Sequence, residues 1–309
     1  MHIGAGQNVT RPGGLSLDGP RNGTRVNTLV VDGALNTTGT LWIADWSGSN
    51  GTVVVNGTGT LTAGGEIQVG NEGPGLGTLE IHGGTVTTGG HMKVGQWAGA
   101  QGNLYIGPGS TLNVGGKLYM NDAGGSGSTS QIVMDGGTFN VAGNSYFNDD
   151  AGSGSTATFI LNGGVFNGGG VIDVSWNLDG TSHLTINGGS MVAGGAIRMG
   201  VGGGGDTGQS RIFLNNGLLQ GNDLLWNMTD SLVVFTGGTL KINNANVSVA
   251  DMQSWVDTGA IDVSGAPSYW IFDNGQGFTL LQVPEPSAIS LALLGLVAMV
   301  GLMRRRKRP

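Results

Sequence analysis

One pattern recurs along most of the chain: an apolar-x-apolar strand, a polar residue, one or two glycines, a short apolar or Thr stretch, a second Gly pair, and another apolar-x-apolar strand. It is plain in LEIHGGTVTTGGHMKVG, IVMDGGTFNVAGNSYFN, FILNGGVFNGGGVIDVS and LTINGGSMVAGGAIRMG. The last apolar residue of the first strand falls at Val31, Val55, Ile81, Ile106, Met134, Leu161, Ile186, Leu214 and Phe235, at intervals of 21 to 28 residues that average 25.5. Self-similarity at this spacing means a stacked repeat in which no single unit can bury its apolar side alone.

Short segments of period two make the unit β and not helical. Three strands of three to five residues separated by Gly corners make one triangular coil. Coils stacked at about 4.8 Å give about nine layers and a rod of roughly 40 Å. The expected fold is therefore all-β: a single parallel β-helix over residues 24–240, right-handed by the usual crossover rule. Residues 1–23 read as a terminal segment, truncated or capping the first coil. After Lys241 the repeat fades, and VSVADMQSWVDTGAI reads as a short helix ended by Gly259, inside a C-terminal cap over residues 241–283. A solenoid needs such a cover because an open strand edge invites another chain. Propeller blades need about 40 to 50 residues per repeat, and a leucine-rich horseshoe needs a leucine and asparagine consensus that is missing.

The 63 glycines and 11% charged residues fit this reading better than an ordinary jigsaw core. Glycine costs more backbone entropy on ordering than any other residue, so a fold rich in it must be repetitive and well hydrogen-bonded. Disorder is the competing reading, and the regular Val, Ile, Leu and Thr runs weigh against it. The formal charge is −7, but Arg304, Arg305, Arg306, Lys307 and Arg308 supply five of the 13 basic residues; eight basic against 20 acidic residues elsewhere leave −12. No basic patch interleaved with aromatics lies outside that cluster, so nucleic acid is not an expected partner. Cysteine is absent, which excludes disulfides, thiolate metal sites and a Cys nucleophile within this chain.

The chain ends VPEPSAISLALLGLVAMVGLMRRRKRP. Residues 287–303 carry no charge, and as a transmembrane helix they would span about 26 Å, slightly short of a hydrocarbon core of about 30 Å. Arginine side chains can snorkel to cover the difference. The basic end 304–308 would hold the C-terminus in the cytoplasm and leave the residues before Pro284 outside. Pro284, Glu285 and Pro286, the apolar run and the Arg-rich end resemble, in order and at the terminus, the PEP-CTERM sorting signal of Gram-negative bacteria. The resemblance implies recognition of that Pro-Glu-Pro triplet by a membrane exosortase, cleavage near it, and delivery to the cell surface or extracellular matrix. It also implies transient residence in the inner membrane. Two prolines hold an extended segment with few hydrogen bonds where a protease can thread it. Family members carry an N-terminal secretory signal, whereas MHIGAGQNVTRPGG has no apolar run, so an upstream segment is expected. The repeats themselves resemble the Gly-rich coils of autotransporter-type passengers.

Parallel β-helices also include polysaccharide lyases and hydrolases, and the outer face of the third strand is where such chemistry would sit. Its outward middle residues are Trp42, Gln68, Lys93, Tyr119, Tyr146, Asp173 and Arg198, of which Trp42, Tyr119, Tyr146, Asp173 and Arg198 form a candidate ligand-facing stripe. Sugar-cleaving sites gather several carboxylates, or a carboxylate with a cationic base, on neighbouring layers. A neighbouring Asp and Arg on a β-ladder is more simply a surface cross-strand pair, so no catalytic residue is expected and the chain is not read as an enzyme. Two loops, NDAGGSGS and NDDAGSGS, offer Asn121, Asp122, Asn148, Asp149 and Asp150 to a Ca2+ ion, or else form Asx turns at coil corners, and no cofactor is assigned. The four histidines lack metal-site spacing, and the GxGxxG match at 203–208 lacks a βαβ context. Trp46, Trp97 and Trp176 read as packing for lateral loops, with a sugar-stacking platform as the alternative. Val30, Val54, Tyr105, Val133, Ile160 and Phe213 place an apolar ladder on the outside of the first strand, which fits contact with another molecule or self-association. Exopolysaccharide is the other candidate partner.

Overall fold

In a computed structural model the chain is described over residues 1–18, 26–122, 126–149, 152–175, 180–200, 209–226 and 231–283. Three sheets of eleven, twelve and nine strands, parallel except for the last hairpin of the second, wrap around one core. A representative coil runs Leu76–His82, Thr85–Thr88, Met92–Val94, one strand to each sheet, and every strand pairs with its counterpart one coil earlier and one coil later. The nine apolar residues that set the sequence period lie in unbroken register, Val31 beside Val55 beside Ile81 and onward to Phe235, and all are fully buried.

The stack starts earlier than the period indicates. His2–Ile3, Asn8–Arg11 and Leu15–Leu17 pair in parallel with the three strands of the next coil, so residues 2–17 are themselves a coil and not a flanking segment. Its first strand has only two residues and lacks the long apolar-x-apolar run by which the repeat is recognised. Nine coils contribute to all three sheets, ending at Trp226; Ser231–Phe235 and Thr239–Asn243 then add to two sheets only.

Packing of the core is uniform at the ends and aromatic in the middle. Leu, Ile, Val and Met from the three inner faces fill most layers, while Phe139, Phe147, Phe159 and Phe166 meet at ring centroid distances of 5.1 to 5.6 Å. Small residues make room for these rings. Ser145 stands where neighbouring coils carry Leu118 and Ile172, and a Cβ on Gly168 would come within 3.3 Å of the Phe166 ring.

The corner after the third strand turns through the left-handed region in successive coils, at Ala44, Gly70, Gly95, Asn121, Asn148, Ser175 and Gly200. Glycine suits this corner for two reasons: Gly70 has φ 69°, and an added Cβ there would strike the Gln101 carbonyl at 2.1 Å. Asparagine tolerates the same conformation better than other side chains. Asn121 and Asn148 use it to turn inward, where both are wholly buried. Asn121 Nδ2 donates to Asn148 Oδ1 at 2.6 Å, and Asn148 Nδ2 donates to the Thr181 carbonyl and to Ser182 Oγ.

The C-terminal end is covered. Helix α1 (Val249–Asp257) begins with a Ser248/Asp251 capping box and stops at Gly259, whose φ is 79°. Met252 is buried against the core and Trp255 meets Trp226 edge-on at 5.7 Å. Ile261–Asp262 extends the first sheet, and the hairpin Trp270–Asp273/Phe278–Gln282 closes the second sheet with an antiparallel pairing.

Candidate functional site

The candidate stripe is continuous in register. Trp42, Gln68, Lys93, Tyr119, Tyr146, Asp173 and Arg198 occupy the same position on seven successive strands of the third sheet. Register does not make them one site. Trp42 is three rungs from Tyr119, about 14 Å at sheet spacing, and it lies over the first coil, where a Cβ on Gly14 would come within 2.5 Å of its ring.

Tyr119 and Tyr146 stack at 5.5 Å with their rings 17° from parallel. The His91 ring meets Tyr119 edge-on, Asn144 Nδ2 donates to the Tyr146 hydroxyl at 2.7 Å, and Lys117 Nζ lies 5.8 and 5.4 Å from the two ring centroids. A hydrogen bond to the Tyr119 hydroxyl raises the Lys117 ammonium above its ordinary pKa, so it stays charged. Lys93, one rung earlier, is bridged to Asp122 at 3.2 Å and Glu66 at 3.8 Å. Two flat rings beside ammonium and amide donors are the equipment for stacking a sugar and binding its hydroxyls or carboxylates.

Asp173 departs from its sequence reading. Alternation places it outward, as half of a surface pair with Arg198, yet it is completely buried. Its short carboxylate stands between Tyr146 and Arg198 on the neighbouring rungs, and longer side chains on both sides shelter it. Among the described residues neither oxygen has a hydrogen bond, and Arg198 Nη1 approaches Oδ2 only to 3.9 Å. Burial pushes the Asp173 pKa up to about 7, against the opposing pull of Arg198.

Asn121 and Asn148 are committed to the buried corner ladder, and Asp122 to Lys93. No group of three or more His, Asp or Glu side chains that could hold a metal ion occurs among the described residues. Asp150, Trp176 and the glycines at 203–208 lie outside the described residues. Trp46 and Trp97, on the lateral loops, are 45% and 47% exposed, each with just over half of its surface covered. The apolar residues outside the first sheet are half-buried, and Glu80 and Thr185 interrupt their row.

Two features of the outer surface escaped the sequence reading. Asn113, Asn140 and Asn167 form a side-chain ladder on the second sheet at 2.8 and 2.9 Å, along a groove of about 510 Å³. A second ladder runs Asp135, Asn162, Asn187, Asn215, Thr236 after the first sheet, each link 2.8 to 2.9 Å. The recurring polar residue before each Gly pair was its visible signal.

The described residues end at Val283, whose N–H donates to the Gly238 carbonyl and which is 8% exposed. Directly beyond lies the Pro-Glu-Pro segment, and a family model for the PEP-CTERM protein-sorting motif matches residues 282–307. This chain carries a PEP-CTERM sorting motif. The motif marks an exported protein, a membrane-anchored precursor sorted by an exosortase. The PEP-CTERM segment from Pro284 onward, including the expected transmembrane helix 287–303 and the basic end 304–308, lies outside the described residues. Among the described residues no helix is long and apolar enough to cross a membrane. No curated protein and no solved structure matches the chain.

Proposed function

We propose that this protein is a non-enzymatic structural component of the cell surface or extracellular matrix, released from its membrane anchor by exosortase cleavage at the tail. The PEP-CTERM motif at the end of an otherwise solenoidal chain is the observation that carries the reading. Support comes from the outer surface, where asparagine side chains bond to one another from rung to rung. Such ladders stiffen a rod and consume the polar groups a catalytic surface would present. Fractionation of producing cells tests it. The full-length form should be found with the inner membrane and a shorter form outside it; retention of only the full-length chain in the membrane would refute release.

Exopolysaccharide binding along the third sheet is a second reading, favoured by the stacked Tyr119 and Tyr146 beside Lys117. Affinity electrophoresis through gels containing polysaccharide from the same culture should retard the protein. Alanine at both tyrosines should remove about 2 to 6 kcal/mol of that affinity if each ring holds a sugar as strongly as rings hold a stacked nucleobase.

A further inference from the structure

The C-terminal cap presents an apolar face that the fold does not use. Trp270 is 57% exposed, Phe272 37% and Val249 37%, and with Tyr269 they line a concavity of about 800 Å³ between α1 and the last hairpin. Along Trp270–Asp273 the core-packed residue is Ile271, so Trp270 and Phe272 point to the opposite side. Leu280, the partner of Phe272 across the hairpin, extends that side.

The position of this face in the chain indicates what covers it. Trp270 pairs with Gln282, at the open end of the hairpin and one residue from Val283, the last described residue. From Val283 to Ala288, in the uncharged run, there are five peptide links, at most about 17 Å when extended. A strand-to-strand step of about 5 Å adds Trp270 itself. The ring is thus held within about 25 Å of the first hydrocarbon-soluble residues, and the polar interface between water and hydrocarbon is itself several Å deep. Trp and Tyr side chains, with an apolar body and a polar edge, concentrate in that interface. Acidic groups dominate the rest of the body, eight basic against 20 acidic residues outside the basic cluster, so charge does not draw it to an anionic bilayer.

We infer that, in the anchored precursor, the face formed by Val249, Trp270 and Phe272 rests in the lipid interface and fixes the solenoid beside the sorting motif. The inference rests on the membrane-anchored form described above. It differs from it in assigning a lipid contact to the folded body and not only to the tail.

The test uses the full chain reconstituted into phosphatidylethanolamine/phosphatidylglycerol vesicles, with and without lipids brominated near the headgroup. Flotation establishes anchoring, and tryptophan emission then reads depth. The wild type should lose emission in brominated vesicles, and Trp270→Phe should lose less, the difference being the Trp270 contribution. Because Trp270 is largely exposed, this exchange leaves the core intact. Equal losses in the two proteins overturn the lipid contact while leaving anchoring in place. Cross-linking of two copies through position 270 also overturns it and assigns the face to a second copy. Failure to float overturns the anchored form, and the lipid contact with it.

Discussion

Asp173 is a carboxyl group that the fold prefers to keep protonated. Its value in the unfolded chain is near 3.8 and in the folded chain about 7, so between those limits the folded state binds more protons. Stability is therefore full below about pH 4, falls as pH rises, and has lost the whole contribution above about pH 7. Each unit of difference corresponds to about 1.4 kcal/mol. Asp173→Asn removes the titrating group, so its urea midpoint should be higher than wild type at pH 8 and should lack the wild-type decline between pH 5 and 8. A parallel decline in both proteins would place the titration elsewhere. Asn148 is the opposite case, a polar group whose burial is satisfied. Asn148→Gly keeps the left-handed corner and loses the hydrogen bonds, at about 1 to 3 kcal/mol. Asn148→Ala adds strain of about 1 to 2 kcal/mol, because φ here is 54°. Urea unfolding of the two variants should rank them Gly above Ala; the reverse order would mean the corner is not held at positive φ.

At the scale of elements, the inward residues were legible because alternation and period together determine which side chains meet: Val31, Val55 and Ile81 could be aligned without coordinates. The outward residues were less so. Whether Asp173 is exposed depends on Tyr146 and Arg198, 27 and 25 residues away, and an Asn in a loop gives no sign of whether it turns inward until the corner's φ is known. The first coil was missed for a related reason: His2–Ile3 is too short to show a period, and only its pairing with Val30 and Val31 identifies it. The cap helix was readable from its stop at Gly259, while the capping box at Ser248 that starts it came only with the structure. That cap governs a local equilibrium. Ser248→Ala should cost about 1 kcal/mol, and because a solenoid unit contacts only its neighbours, the loss should stay near the end. Hydrogen exchange should quicken in Val249–Asp257 and leave Phe159 and Phe166 unchanged. Uniform acceleration along the chain would mean that the cap and the coils unfold as one unit.

For the whole molecule, the tail was the most legible feature and the junction with the body the least, since a sorting motif reveals nothing about how close the fold comes to it. The structure puts that distance at zero residues. Thr239 to Asn243 pairs with Phe278 to Gln282 in full antiparallel register, and Leu281 and Val283 are buried beneath it. Pro284, the next residue in the sequence, has no N–H to donate to a ladder. A protease threading an extended substrate upstream of Val283 would have to peel the strand from the sheet and expose Leu240 and Ile242, which are fully buried. Cutting from Pro284 onward leaves the Phe278–Gln282 strand in place. Intact-mass analysis of the released protein should therefore find C-termini within 284–287 and none within Phe278–Gln282. A mature end inside that strand would mean that the cap opens during sorting, and that the closed solenoid is not the form the protease meets.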